Sequence, residues 1–137
     1  MTREERKEAA VGYHAQGYNC CQSVLLACRD LTGMDEGMAV ALGYGFGSGM
    51  HCGEVCGAAT GGLMAIGACM PEGSLQINKP RARAAAQEFE GQFREQFGTL
   101  LCREILRSNG KRICDACISS GVDGVEQIAE RVKRGDE

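Results

Sequence analysis

Apolar residues recur at three- and four-residue spacing along most of the chain and β-branched runs are scarce, which predicts an all-α protein, a single-domain multi-helix bundle. Thr2 suits the N-cap of a first helix reaching Gln16, with acidic residues in its first turn and Gly17 at its end. Asn19 suits the cap of a second. There Val24, Leu25 and Cys28 recur on one face, and the helix is expected to run to Leu31 and close at Gly33. A short third helix is expected over 35–43.

The next stretch changes character. Gly43, Gly45, Gly47 and Gly49 alternate, and glycine costs ~1 kcal/mol against alanine inside a helix, so this segment should be a loop. From Gly53 the pattern Val55, Cys56, Leu63, Met64, Ile66 among alanines predicts a small-residue helix to about Cys69, stopped by Pro71. Residues 71–80 read as a polar connection. A long helix follows over 81–97, with Ala85, Phe89, Phe93 and Phe97 four apart, and Gly98 ends it. Shorter helices are expected over 100–107, 111–118 and 122–133, then a charged tail. No repeat or second domain breaks residues 1–137.

Composition alters this picture through one residue type. A chain of 137 residues can bury a core without disulfide staples, yet it carries nine cysteines. The charged N-terminal stretch lacks the apolar segment of a signal peptide, so a cytoplasmic location is expected. In that reducing compartment, clustered thiols point to metal binding or redox chemistry. The most apolar run, residues 55–70, is broken by four glycines and is too short to cross a bilayer. With a net charge of −3 and few aromatics, the chain lacks the basic footprint of a nucleic-acid binder.

The cysteines differ in promise. Cys52 and Cys56 lie four apart and would share a face at a helix N-terminus if the helix begins by residue 52; there the dipole favours thiolate. Cys20 and Cys21 sit at another helix start. Cys114-Asp-Ala-Cys117 is a C-x-x-C, a spacing shared by redox, zinc and iron-sulfur sites, but no βαβ pattern surrounds it. Cys28, Cys69 and Cys102 read as packing thiols. His14 is expected on a solvated face, and His51 in a flexible loop beside Cys52. The glycines fail every alignment with G-x-G-x-x-G, and no G-x-S-x-G is present, so neither a dinucleotide site nor a serine hydrolase is supported.

Taken together, "GYNCCQSVL", "GYGFGSGMHCGEVCGAATGGLMAIG", "FGTLLCREIL" and "KRICDAC" resemble the redox-active family named for its C…GCAxxG…C…C pattern, over residues 17–117. A literal G-C-A is missing, since Val55 and Gly57 flank Cys56. The resemblance places the family's four cysteines on Cys20, Cys56, Cys102 and Cys114. It extends to the non-haem portion of split-Soret cytochromes, which implies an iron-sulfur cluster, [2Fe-2S] or [4Fe-4S]. Extra thiols leave Cys20 against Cys21, and Cys114 against Cys117, open as ligands.

Four cysteines from four helices could surround one point in a bundle, and four thiolates are the usual complement of such a cluster. Gly47, Gly49, Gly53 and Gly57 could turn backbone amides toward it, and Arg103, Lys111 or Arg112 could offset its charge. Electron transfer or redox sensing through a cluster is the first expectation. A metal-free thiol-disulfide oxidoreductase drawing on Cys52, Cys56, Cys114 and Cys117 is the second, and a structural zinc site with four cysteine ligands the third. The small face of Gly57, Gly61 and Ala65 could pack helices within the chain or across a homodimer; the redox partner is not legible.

Overall fold

Two capping boxes set the first helices. In each, the side chain of Thr2 or Asn19 accepts a backbone N–H three residues on, while Glu5 or Gln22 reaches back to the cap's own N–H. The computed structural model describes residues 1–135, and two residues of the expected charged tail, 136 and 137, lie outside them. Among the described residues the α-helices are α1 (Arg3–Ala15), α2 (Cys20–Ala27), α3 (Arg29–Thr32), α4 (Glu36–Gly43), α5 (Gly57–Ala68), α6 (Leu75–Phe97), α7 (Cys102–Asn109) and α8 (Ile113–Arg134). No strand occurs among them; Val55 and Leu101 form one isolated antiparallel bridge. The fold is all-α, as the periodicity predicts. Among the described residues, no helix is long and apolar enough to cross a membrane.

The core is organised around α2, whose residues 21–27 are all buried, against α1, α4, α5 and α8. Its two polar members are satisfied there, Gln22 donating to the Val40 carbonyl and Ser23 to the Asn19 carbonyl, so the whole helix can lie in the middle of the bundle. On its outer side, Arg6 of α1 is 3% exposed and pairs with Asp30 of α3 at 2.5 Å and Glu126 of α8 at 2.8 Å, tying three helices together. Phe89 and Phe93 of α6 fill the other end, with ring centroids 6.4 Å apart.

Several boundaries differ from the sequence reading. The second helix stops at Ala27: Cys28 turns the chain, and its carbonyl accepts from Leu31 and Thr32 to start α3, which Gly33 closes in the left-handed region. Of the alternating glycines, Gly43 ends α4, Gly45 lies in a 3₁₀ turn over Tyr44–Phe46, and Gly49 opens a distorted wide turn over Gly49–Gly53 with left-handed backbone inside it. The small-residue helix begins at Gly57, with Cys56 as its N-cap, because Gly53 is left-handed and Glu54 and Val55 run extended toward the bridge. The long helix starts six residues early, where the Ser74 hydroxyl accepts the Ile77 N–H at 3.3 Å. Pro80 therefore lies inside α6, in an exposed segment.

The largest difference is at the C-terminus, where the two helices expected over 111–118 and 122–133 are one, α8. Gly121 and Gly124 do not break it; they are contact points. A Cβ on Gly121 would stand 2.9 Å from the Ala58 carbonyl oxygen of α5, and Cβ atoms on Gly62 and Gly124 would meet the Phe89 ring at 2.2 and 2.8 Å. The small face of α5 is likewise used within the chain, Gly57 and Gly61 lying against the backbone of Cys21. Because Ala58 faces Gly121 and Phe89 lies between Gly62 and Gly124, α5 and α8 run side by side in the same direction, with their N-termini at the same end.

Two substitutions in helix interiors should therefore move stability in opposite directions. Gly121→Ala should cost ~1–3 kcal/mol by forcing α5 and α8 apart, despite the gain in helix propensity. Gly91→Ala, in α6 with nothing within 4 Å of the added Cβ, should stabilise by up to ~1 kcal/mol. Urea unfolding of both variants checks the pair; equal effects would contradict the packing described.

Candidate functional site: a thiol-lined pocket at four helix N-termini

A short clasp between distant segments builds the site. The Cys56 N–H donates to the Leu100 carbonyl and the Cys102 N–H to the Glu54 carbonyl, both at 2.7 Å, on either side of the Val55–Leu101 bridge. Arg103 adds an ion pair to Glu54. The turn over Gly49–Gly53 fits beneath this clasp only because Gly49 has no Cβ, which would lie 2.5 Å from the Glu54 oxygen and 2.7 Å from the Cys102 Cβ. Ser48, Met50 and His51 adopt left-handed backbone around it, an unusual run for residues with side chains.

The result is a pocket of about 250 Å³, against the roughly 15 Å³ that one water requires. Cys20, Cys56, Cys102, Cys114 and Cys117 all line it. Four of them occupy the start of a helix: Cys20 is the first residue of α2, Cys56 the N-cap of α5, Cys102 the first residue of α7 and Cys114 the second of α8. Each helix start carries roughly half a positive charge and unpaired N–H groups, so the pocket is a place where anionic sulfur is favoured. Ile105, Leu106 and Ile113 form its apolar wall, while His14 and Lys111 also reach it.

The thiols are coupled in two pairs. Cys114 is lowered to about 6, first by the thiol hydrogen bond from Cys20, against the effect of burial and with help from His14 and Lys111. Cys56 is lowered first by the Cys117 thiol and further by the backbone N–H groups of Ala58 and Ala59. The donors Cys20 and Cys117 are raised, by the hydrogen bond to the partner sulfur and then by burial. Burial also raises Cys102. Among the described residues, no group of three or more His, Cys, Asp or Glu is arranged to hold a metal ion.

The other predicted site residues are distributed as follows. Cys21, the second residue of α2, is buried in the core near Thr60 and pushed up to about 11 by burial; Cys20 is the one that lines the pocket. Cys52 is exposed in the Gly49–Gly53 turn, its thiol 3.5 Å from the Gly49 carbonyl; it does not share a helix face with Cys56, because α5 starts after both. Cys28 and Cys69 are buried core thiols, as read, with Cys28 pushed up to about 12 by burial. Cys102 lines the pocket rather than the core. Of the four glycines, only Gly57 lines it; a Cβ on Gly47 would meet Asn19 and one on Gly53 would meet Arg103, so these two support the loop's approach. Arg103 is committed to Glu54, and His51 faces the Tyr44 carbonyl at 2.8 Å.

His14 was missed by the sequence reading. It stands at the rim, 3.2 Å from Asp115, one residue past Cys114, a neighbour that no local pattern on the first helix could reveal.

A helical domain that gathers five free thiols around one pocket, four of them at helix starts and two favoured as thiolates, belongs to the class of redox-active cysteine proteins. A model of the C_GCAxxG_C_C family, described as "Putative redox-active protein", matches residues 18–128, and the chain belongs to that family. No curated protein and no solved structure matches it.

The pairing predicts a pH profile for the metal-free protein. Iodoacetamide should modify Cys114 with a rate that rises with pH through a midpoint of about 6. Cys20→Ala should move that midpoint upward by about 1 unit or more, because the donated hydrogen bond is lost. Folding favours the Cys114 thiolate, so its linked stability is present above the ordinary thiol range and disappears as the pH falls through about 6. A wild-type midpoint near ~8.5 would contradict the assignment.

Proposed function

We propose that Cys20, Cys56, Cys102 and Cys114 hold an iron-sulfur cluster and that the protein transfers electrons or senses redox state through it. The observation that carries this reading is the placement of these four thiols, each at the start of a different helix, around one pocket. A mononuclear zinc site needs all its sulfurs about 2.3 Å from a single point, whereas a cluster takes its ligands from around its periphery. Thiols brought from four separate helix starts to the lining of one pocket suit the second arrangement.

The chain's own residues have distinct parts in such a site. Four helix N-termini and Lys111 offset the negative charge of thiolate ligands. Gly57, where a Cβ would stand 2.9 Å from the Phe46 carbonyl oxygen and 3.1 Å from the Cys20 Cβ, lets α5 approach closely enough for Cys56 to share the pocket with Cys20. Ile105, Leu106 and Ile113 limit water at the wall, which with hydrogen bonds to sulfur is a main control on reduction potential. Cys102 and Cys114 are only half-buried, so the pocket has an edge open to a redox partner. When bound, a cluster would supply one-electron chemistry.

Anaerobic reconstitution with iron and sulfide should give a brown protein that retains both after desalting. Cys102→Ala should lose the bound iron and sulfide, while Cys52→Ala, outside the pocket, should keep them. Colourless protein without iron, or protein that takes zinc without sulfide, would overturn the reading.

A further inference from the structure

Five thiols line a pocket for which four ligands suffice, and the surplus one, Cys117, is placed by a close backbone approach of two helices. Gly121 of α8 lies against the Ala58 carbonyl of α5. Since the two helices run in the same direction, Cys117, one turn before Gly121, comes to the start of α5, where Cys56 is the N-cap. Cys56 and Cys117 line the same pocket there, and Cys117 is 1% exposed. A small buried hydrophobe would fill that space equally well; a thiol adds the capacity to bond to Cys56.

We propose that Cys56 and Cys117 form a reversible disulfide when the pocket is exposed to hydroperoxide, and that this removes Cys56 from the ligand set. The consequence for ligand loading rests on the proposed cluster; the disulfide itself does not. Hydrogen peroxide is small enough to enter a pocket of about 250 Å³ whose opening is lined by the half-buried Cys102 and Cys114. The Cys56 sulfur, at the N-cap of α5, attacks one peroxide oxygen. The O–O bond breaks, hydroxide leaves and takes up the thiol proton as water, and Cys56 becomes a sulfenic acid. The Cys117 sulfur then attacks the sulfenic sulfur; the S–O bond breaks, and the hydroxyl leaves with the Cys117 proton as a second water. In sum, two thiols lose two electrons and two protons, and one peroxide becomes two waters.

The neighbouring thiols define what must be distinguished. Cys20 and Cys114 are also paired, so peroxide can join them independently; Cys114 is three residues before Cys117 on the same helix and offers a competing partner.

The test uses the full chain in its metal-free form. It is treated with limiting hydrogen peroxide, its remaining thiols are blocked with N-ethylmaleimide, and its linkages are mapped by peptide mass spectrometry without reduction. A Cys56–Cys117 linked peptide that disappears with dithiothreitol is expected. In Cys117→Ala, and in Cys117→Ser should the alanine variant lose its helical circular dichroism, Cys56 should instead be recovered as sulfenic acid, trapped by dimedone. Recovery of Cys117 as the maleimide adduct while Cys56 is oxidised, or linkage of Cys117 to Cys114 instead, would overturn the proposal. Reconstitution of the peroxide-treated protein should fail and return after dithiothreitol. If the disulfide forms but reduced protein also binds no iron, the cluster reading fails and the disulfide stands.

Discussion

Everything at this site depends on bringing the positive ends of four helices to one place. Helix starts carry unpaired N–H donors and about half a unit of positive charge each, so four of them facing one another repel unless something anionic or water-filled lies between. Cysteine at those positions answers the problem directly, because its thiolate is both the neutralising charge and the reactive group. The two sulfurs lowered below the ordinary thiol range, Cys56 and Cys114, are those with backbone or cationic neighbours as well as a thiol donor. The site is thus an electrostatic requirement of the fold as much as a feature added to it.

Holding those ends together falls to glycines and to the clasp at Val55 and Leu101. Gly57, Gly61 and Gly121 allow α2, α5 and α8 to approach at backbone distance, and larger side chains there would enlarge the pocket and separate the sulfurs. On the far side of the core, Arg6 ties α1, α3 and α8 through Asp30 and Glu126. A buried guanidinium without its carboxylates is strongly unfavourable, so this cluster fixes the relative placement of the helices even if it adds little net stability.

Much of the helical content was legible because it is encoded locally. Thr2 and Asn19 announce their caps, and the spacing of Ala85, Phe89, Phe93 and Phe97 announces α6. The break expected between residues 118 and 122 is absent: α8 continues through Gly121 and Gly124, which serve tertiary contact with Ala58 and Phe89. Cys52 misled, since four-residue spacing from Cys56 has meaning only inside a helix, and the chain there is in left-handed and extended backbone. The set Cys20, Cys56, Cys102 and Cys114 was reachable through family resemblance, whereas His14 at the rim and the pairing of Cys117 with Cys56 arise from contacts between segments far apart in sequence. No periodicity carries that information.

The left-handed run at Ser48, Met50 and His51 has a mechanical meaning. Each such residue costs roughly 1–2 kcal/mol against ordinary backbone, so the turn would relax if released. What retains it is the Glu54–Cys102 hydrogen bond, the Arg103–Glu54 ion pair and the space kept by Gly49, all of which join it to the start of α7. The turn and α7 therefore behave as a sprung latch with two halves. Neither can let go alone, and because Ser48 and Cys102 both line the pocket, opening the latch would change one wall of it in a single movement.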